Sequence, residues 1–186
     1  MQTGSINSTQ NFGASLISKV PVKHKLKGKW QDKNVSFIKF DTNKRRDREA
    51  LKEVSKLWGG DNFSASIAEE ADILHKNSHV YGITLQDSAH SFVDSNKVLG
   101  LVTTDKIEKG TKEVEIYRMG VIPEFAHGQK RNVKHVGTAL LEGLQKLLNK
   151  NSDNPAMNIT LDSDRAAAKK FFANAKENSN ININAR

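Results

Sequence analysis

Between Glu113 and Leu148 the chain changes its hydrophobic period once, and that change constrains what it can fold into more than any other feature. Val114, Ile116, Gly120 and Ile122 alternate with Glu115, Tyr117, Met119 and Val121, the two-residue repeat of a pleated strand with one set on each face. Pro123 ends the strand, having no N–H to give to a ladder. Beyond a basic loop, FAHGQKRNVKHVG, the residues Val136, Ala139, Leu140, Gly143, Leu144 and Leu147 recur at offsets of 3, 4, 7, 8 and 11 and form one helical stripe. Such a stripe needs a sheet to lie on, so the segment predicts an α/β fold.

A strand that passes through a basic loop into a helix is also a place to hold an anion. The first N–H groups of a helix lack internal partners and carry the positive end of its dipole. Gly137 permits close backbone approach there, while Lys130, Arg131 and Lys134 add positive charge. By physics alone the turn through Val133, Lys134, His135, Val136, Gly137 and Thr138 contains an anion site for a phosphorylated ligand. The plainer reading is an ordinary strand and core helix joined by a solvated basic loop.

At 186 residues with 37% hydrophobic content, the chain fits one domain with a real core. No long uncharged apolar run suggests a membrane span, and no apolar leader precedes a cleavage site, so the cytoplasm is the expected location. The absence of cysteine excludes disulfides, thiolate metal sites and an acyl-cysteine intermediate. His75 and His79 have no acidic companions at ligand spacing, and no metal site is predicted.

The net charge of +8 is concentrated: residues 19–56 carry 13 Lys or Arg against 5 Asp or Glu, while the remainder balances at 16 against 16. Residues 1–33 read as a flexible basic N-terminal arm, and residues 34–186 as the folded domain. Lys23, Lys25, Lys27 and Lys29 have little aromatic interleaving beyond Trp30, which argues against a single-strand nucleic-acid platform.

Within the domain, VSFIKF predicts a first strand, followed by a helix capped by Asp41, Thr42 or Asn43 and stopped at Gly59 and Gly60. A second helix is expected over Ser64 to Lys76. The segments HVYGITLQ and KVLGLVTT are strands, and Lys109-Gly110 turns the chain into the strand described above. MNITLD adds a strand and RAAAKKFFANA a helix, with ININA as the remnant of a last strand.

VIPE, a basic loop and HVGTALLEGL together resemble the acetyl-CoA signature of the GNAT-type N-acetyltransferases. In that family a strand ends in a V-x-P-like sequence, and a Q/R-x-x-G-x-G/A turn wraps the cofactor's pyrophosphate. Aligning GTALLEGL sets Gly137 on the second glycine and His135 on the first, which is thereby replaced; the alternative makes Gly137 the first glycine and Lys134 the Q/R residue. The loop from Pro123 to Gly137 is about six residues longer than usual. The order β-α-α-β-β-β-α-β-α from about residue 34 to about 176 also matches. The resemblance implies a mixed, mostly antiparallel central sheet flanked by helices.

It further implies acetyl transfer from acetyl-CoA to a primary amine, on a small molecule or a protein, by direct attack in a ternary complex. Glu115 lies six residues before Val121, where related enzymes often place a glutamate base; a surface carboxylate paired with Lys or Arg is the structural alternative. Backbone N–H groups at Met119, Gly120 or Val121 would serve the thioester, with Gly120 marking a bulge. The tyrosine that protonates the leaving thiol in many relatives is replaced by Phe172, leaving Tyr117 or Tyr81 as substitutes and Phe172 as a possible cofactor contact. Two other readings remain open: a GNAT-fold module that binds acyl-CoA without turnover, and a nucleic-acid-associated protein using the basic N-terminal region.

Overall fold

The computed structural model describes residues 14–59, 78–87, 92–122, 132–153, 155–160, 166–178 and 181–185. Strands β1 (Ser15–Leu26), β2 (Lys29–Phe40), β3 (Ser78–Thr84), β4 (Val98–Asp105), β5 (Glu113–Val121), β6 (Val133–Lys134), β7 (Ala156–Ile159) and β8 (Ile183–Ala185) form one sheet in the order β6-β1-β2-β3-β4-β5-β7-β8. Neighbours are antiparallel except β5/β7 and β7/β8, which are parallel. Helices α1 (Arg45–Leu57), α2 (Val136–Asn151) and α3 (Ala166–Asn178) complete the described elements. The mixed, mostly antiparallel sheet matches expectation. The helix expected over 64–76 lies outside the described residues.

The faces of the sheet carry separate cores. On one, Leu140, Leu141, Leu144 and Leu148 of α2 and Phe172 and Ala175 of α3 pack with Val20, Val35, Phe37, Tyr81, Val102, Val114 and Ile116. On the other, Ala50, Leu51, Val54 of α1 and Trp58 pack with Ile38, Phe40, Val80 and Leu101. Each fully buried Leu contributes about 1.5–3 kcal/mol by leaving water, so the α2 stripe is a principal source of stability.

Residues 14–33 are not an arm. They form β1 and the start of β2, joined by Lys27 and Gly28, whose φ values of 47° and 82° make a two-residue hairpin turn of the kind that matches strand twist. Val20 and Val22 alternate with Lys19, Pro21 and Lys23 and are buried in the α2-side core. Pro21 is tolerated because the Lys25 N–H points toward β6, to the carbonyl of Asn132 at 2.7 Å. By alternation the Pro21 nitrogen faces the same edge, beyond the reach of the two-residue β6, where no ladder bond is lost.

α1 begins without a side-chain cap at Lys44. Asp41 instead turns back on the Asn43 N–H at 3.1 Å, and Asp47 of the first turn accepts the Asp41 N–H at 2.7 Å. The short last strand is pinned by Gln145, whose Oε1 accepts the Asn182 N–H at 2.9 Å.

α2 crosses the sheet closely because it carries glycine at the contact. A Cβ on Gly143 would stand 2.6 Å from two ring carbons of the buried Phe37. Gly143→Ala therefore loses about 1–3 kcal/mol to overpacking against about 1 kcal/mol gained in helix propensity, and a net loss should appear as a lower urea midpoint.

Under the α2 face His79 lies between Lys39, 2.9 Å from Nε2, and the Tyr81 hydroxyl, 3.1 Å from Nδ1. Burial, then the charges of Lys39 and Lys106, push its pKa from 6.5 down to about 4. The folded protein thus binds fewer protons than the unfolded chain between those values, so stability is complete above about 6.5 and falls as pH drops toward 4. Urea unfolding at pH 7 and pH 5 should show this loss, and His79→Gln should flatten it.

Candidate active site

The site is organised by one irregularity in β5. Val121, Gly120, Met119 and Arg118 pair with Gly100, Leu101, Val102 and Thr103 in unbroken register, but the next partner, Thr104, faces Ile116. Tyr117 is therefore the extra residue of a β-bulge, three positions before the expected Gly120. The bulge reverses the alternation that the sequence suggests. Val114 and Ile116 face the α2 core, and beyond the bulge so do Met119 and Val121, while Ile122 joins the α1 core. The expected grouping of Gly120 and Ile122 with Val114 and Ile116 is corrected by this one-residue slip.

The same point ends the parallel pairing. β7 follows β5 from Glu113 opposite Ala156 to Ile116 opposite Ile159, and among the described residues no strand continues along the β7 side of Tyr117–Val121. The Ile122 N–H reaches the Leu99 carbonyl of β4 at 2.9 Å. Alternation then directs the N–H and C=O of Gly120 toward β4 and those of Met119 and Val121 into the opening beside β7. Of the three expected backbone donors, Met119 and Val121 face the gap and Gly120 belongs to the ladder.

Asp105 holds the bulge from the α1 face. One of its carboxylate oxygens accepts the Glu115 N–H at 3.1 Å, and the other accepts the Tyr117 hydroxyl in a short hydrogen bond. That bond, followed by partial burial and the neighbouring carboxylates, pushes the Tyr117 pKa up to about 12. Asp105 had no signal in the sequence, because its role depends on a register shift that pattern alone does not reveal. Glu115 is half-buried and projects to the face opposite Val114 and Ile116, the side of α1. It sits in the last paired stretch of β5, opposite Asn158 and one residue before the strands part.

The helix entrance is formed as the sequence suggests, with His135 at the position aligned with a glycine. α2 starts at Val136 with no side-chain cap, and its first intrahelical bond runs from the Ala139 N–H to the His135 carbonyl at 2.9 Å. The N–H groups of Val136, Gly137 and Thr138 consequently have no partner within the helix. His135 has φ 67°, left-handed backbone that glycine adopts without cost and histidine more readily than most residues. The position aligned with the family's first glycine has kept a glycine-like conformation, and a left-handed residue before a helix makes successive N–H groups converge on one point.

Gly137 has a packing role as well: a Cβ there would meet the Phe171 ring at 3.0 Å. Phe171 flanks the first helical turn, whereas Phe172, 4% exposed, is a core residue. Helical N–H groups point along the axis, so a ring on the flank of Gly137 does not stand in front of them. Val133 and Val136 are also buried, Val136 against Gly100, and contribute backbone only; Lys134 and His135 are exposed. His127, Lys130 and Arg131 lie outside the described residues. Tyr81 is buried in the α2 core with its hydroxyl at His79, and burial raises its pKa.

No family model matches the chain, and no curated protein sequence matches it. Among solved structures the fold is similar to a protein from Desulfovibrio desulfuricans described as a candidate acetyltransferase of the GNAT family, with a TM-score of 0.51 at 15% identity over 76% of this chain and 83% of that one. The chain has a GNAT-like fold. Among the described residues no helix is long and apolar enough to cross a membrane.

Removing the bulge clamp tests this geometry without any ligand. Asp105→Ala leaves the Tyr117 hydroxyl and the Glu115 N–H without their acceptor and should cost about 1–3 kcal/mol in urea unfolding. The Tyr117 phenol should then titrate below its present value of about 12, visible as an ultraviolet shift at lower pH than in the wild type.

Proposed function

We propose that this chain is an N-acetyltransferase that moves the acetyl group of acetyl-CoA to a primary amine by direct attack. The observation that carries the reading is the parting of β5 from β7 at Tyr117, beside a helix entrance whose first N–H groups have no cap among the described residues. A thioester arm lying in that gap would find the Met119 and Val121 N–H groups, and a diphosphate would find those of Val136, Gly137 and Thr138. Acyl-CoA has both parts at its two ends. Residues 133–138 are the proposed diphosphate segment, with Phe171 rather than Phe172 as the ring nearest to it.

The acceptor would approach from the α1 face, where Glu115 projects. Glu115, directly or through a water, takes a proton from the ammonium; the amine nitrogen bonds to the acyl carbon and the carbon–sulfur bond breaks. The second amine proton, released as the amide forms, neutralises the departing thiolate. A thiol of pKa about 8.5 is a tolerable leaving group, so no side-chain acid is required. This fits the engagement of Tyr117 with Asp105 and of Tyr81 with His79. Nothing in this scheme needs a membrane, and a cytoplasmic setting suits a co-substrate found there.

A second reading, binding without turnover, is favoured by one observation: the position of the usual tyrosine holds a core phenylalanine. Titration of acetyl-CoA against the protein and thiol release with a panel of amines separate the two. The enzyme reading expects saturable binding, amine-dependent thiol release, and a fall of about 10²–10⁴ in kcat for Glu115→Gln. Binding with no release for any amine supports the second reading, equal rates for both proteins remove Glu115 from its role, and absence of binding removes both readings.

A further inference from the structure

The β1–β2 hairpin and the residues Asn132 to Lys134 that lead into α2 are one structural unit. β6 pairs Lys134 with Lys23 and Val133 with His24, and the Lys25 N–H donates to the Asn132 carbonyl at 2.7 Å. His135 alone separates this pairing from the first residue of α2. The basic residues of the N-terminal segment are thereby fixed beside the uncapped helix entrance.

Their faces follow from the register. Lys25 stands opposite Trp30, Lys23 opposite Asp32 and Lys23 opposite Lys134, so these side chains share the face away from the buried Val20 and Val22. The Lys134 ammonium lies 4.3 Å from the centre of the Trp30 ring and that of Lys25 5.9 Å from it. Trp30 is 37% exposed, an unusual position for an indole in a hairpin tip with no core beneath it. Lys23 is neutralised by Asp32 at 2.6 Å. Among the described residues no carboxylate lies within ion-pair distance of Lys25 or Lys134.

Two lysines with no acidic partner among the described residues, held at a partly exposed aromatic plane with one of them two residues before α2 begins, match the chemistry of a nucleotide with a further phosphate on its ribose. The lysines would take the phosphate and the indole would offer a face to the base. We propose that Lys25, Lys134 and Trp30 form a subsite for the 3′-phosphorylated adenosine end of coenzyme A. The subsite rests on the reading of the chain as an acyl-CoA protein. Coenzyme A, not a nucleic acid, is the assigned occupant because the cluster is compact and contiguous with a single helix entrance, whereas a strand needs a succession of stacking residues.

The test compares coenzyme A with dephospho-coenzyme A, which lacks only the 3′-phosphate, by calorimetric titration of the wild type, Lys25→Ala/Lys134→Ala and Trp30→Ala. The wild type should prefer coenzyme A by at least about tenfold. The double lysine variant should reduce that preference to less than about threefold, any loss from Lys134 at the diphosphate segment falling equally on both ligands, and Trp30→Ala should weaken both ligands alike. All three substitutions are on exposed or half-exposed side chains, and matching urea midpoints would exclude a folding defect. Equal affinity of the wild type for the two ligands, or a preference retained by the double variant, overturns the subsite while leaving acyl-CoA binding intact. Failure of both ligands to bind the wild type overturns the functional reading itself. Loss of oligonucleotide binding in the double variant with an unchanged coenzyme A preference reassigns the lysines to nucleic acid and also overturns the proposal.

Discussion

The carboxylate of Asp105 stabilises a strand geometry on which the rest of the candidate site depends. A strand has only two faces, so inserting one residue exchanges everything downstream between them. By tying the Tyr117 hydroxyl and the Glu115 N–H, Asp105 fixes where that exchange occurs. Upstream of it the Glu115 side chain faces α1 and downstream those of Met119 and Val121 face α2, while the N–H groups of Met119 and Val121 lie in the sheet plane at the opening beside β7. The same bulge coincides with the end of the β5/β7 ladder, since a kinked strand cannot stay in register with a straight parallel neighbour. Opening the gap and exchanging the faces of the strand are one event.

Most elements were legible because they carry an undiluted period. VSFIKF, HVYGITLQ, KVLGLVTT and the α2 stripe each repeat at 2 or near 3.6 residues with apolar side chains, and each forms the element expected. β1 was not legible for a physical reason: it is a strand near the sheet edge whose outward positions are lysines, so only Val20 and Val22 show the buried face, and Pro21 argues against a ladder. The turn Lys27-Gly28 was the available signal, since a two-residue connection ending in glycine between alternating segments is a hairpin pattern. The bulge left no trace in the residue pattern, because alternation reads equally well through Tyr117 if the strand is assumed regular. Glu115 and the helix entrance were named on pattern and resemblance together, while Asp105 needed the strand register and Phe171 the packing of two helices.

The departures from the family's glycine pattern are less disruptive in three dimensions than in the alignment. Histidine at position 135 sustains a positive φ, so the amides of Val136, Gly137 and Thr138 keep the convergent arrangement that a glycine would give. Left-handed backbone costs a non-glycine residue about 1–2 kcal/mol. The neighbouring β6/β1 pairing supplies backbone hydrogen bonds that offset such strain, which is how an unfavourable conformation persists at one defined position. Gly137 meanwhile leaves room for the Phe171 ring at its flank, which a side chain there would meet.

The long connection between β5 and α2 follows the same logic. Before α2 begins, Val133 and Lys134 pair with β1 and add β6 to the sheet. Closing a longer loop costs little, each doubling of length adding only about 0.6 kcal/mol. In exchange the loop's final residues become part of a sheet instead of a free tether, and their lysine is held at Trp30. β6 and the hairpin depend on each other: without β1 the two residues of β6 have no edge to pair with, and without β6 the Lys134 side chain loses its fixed place at Trp30.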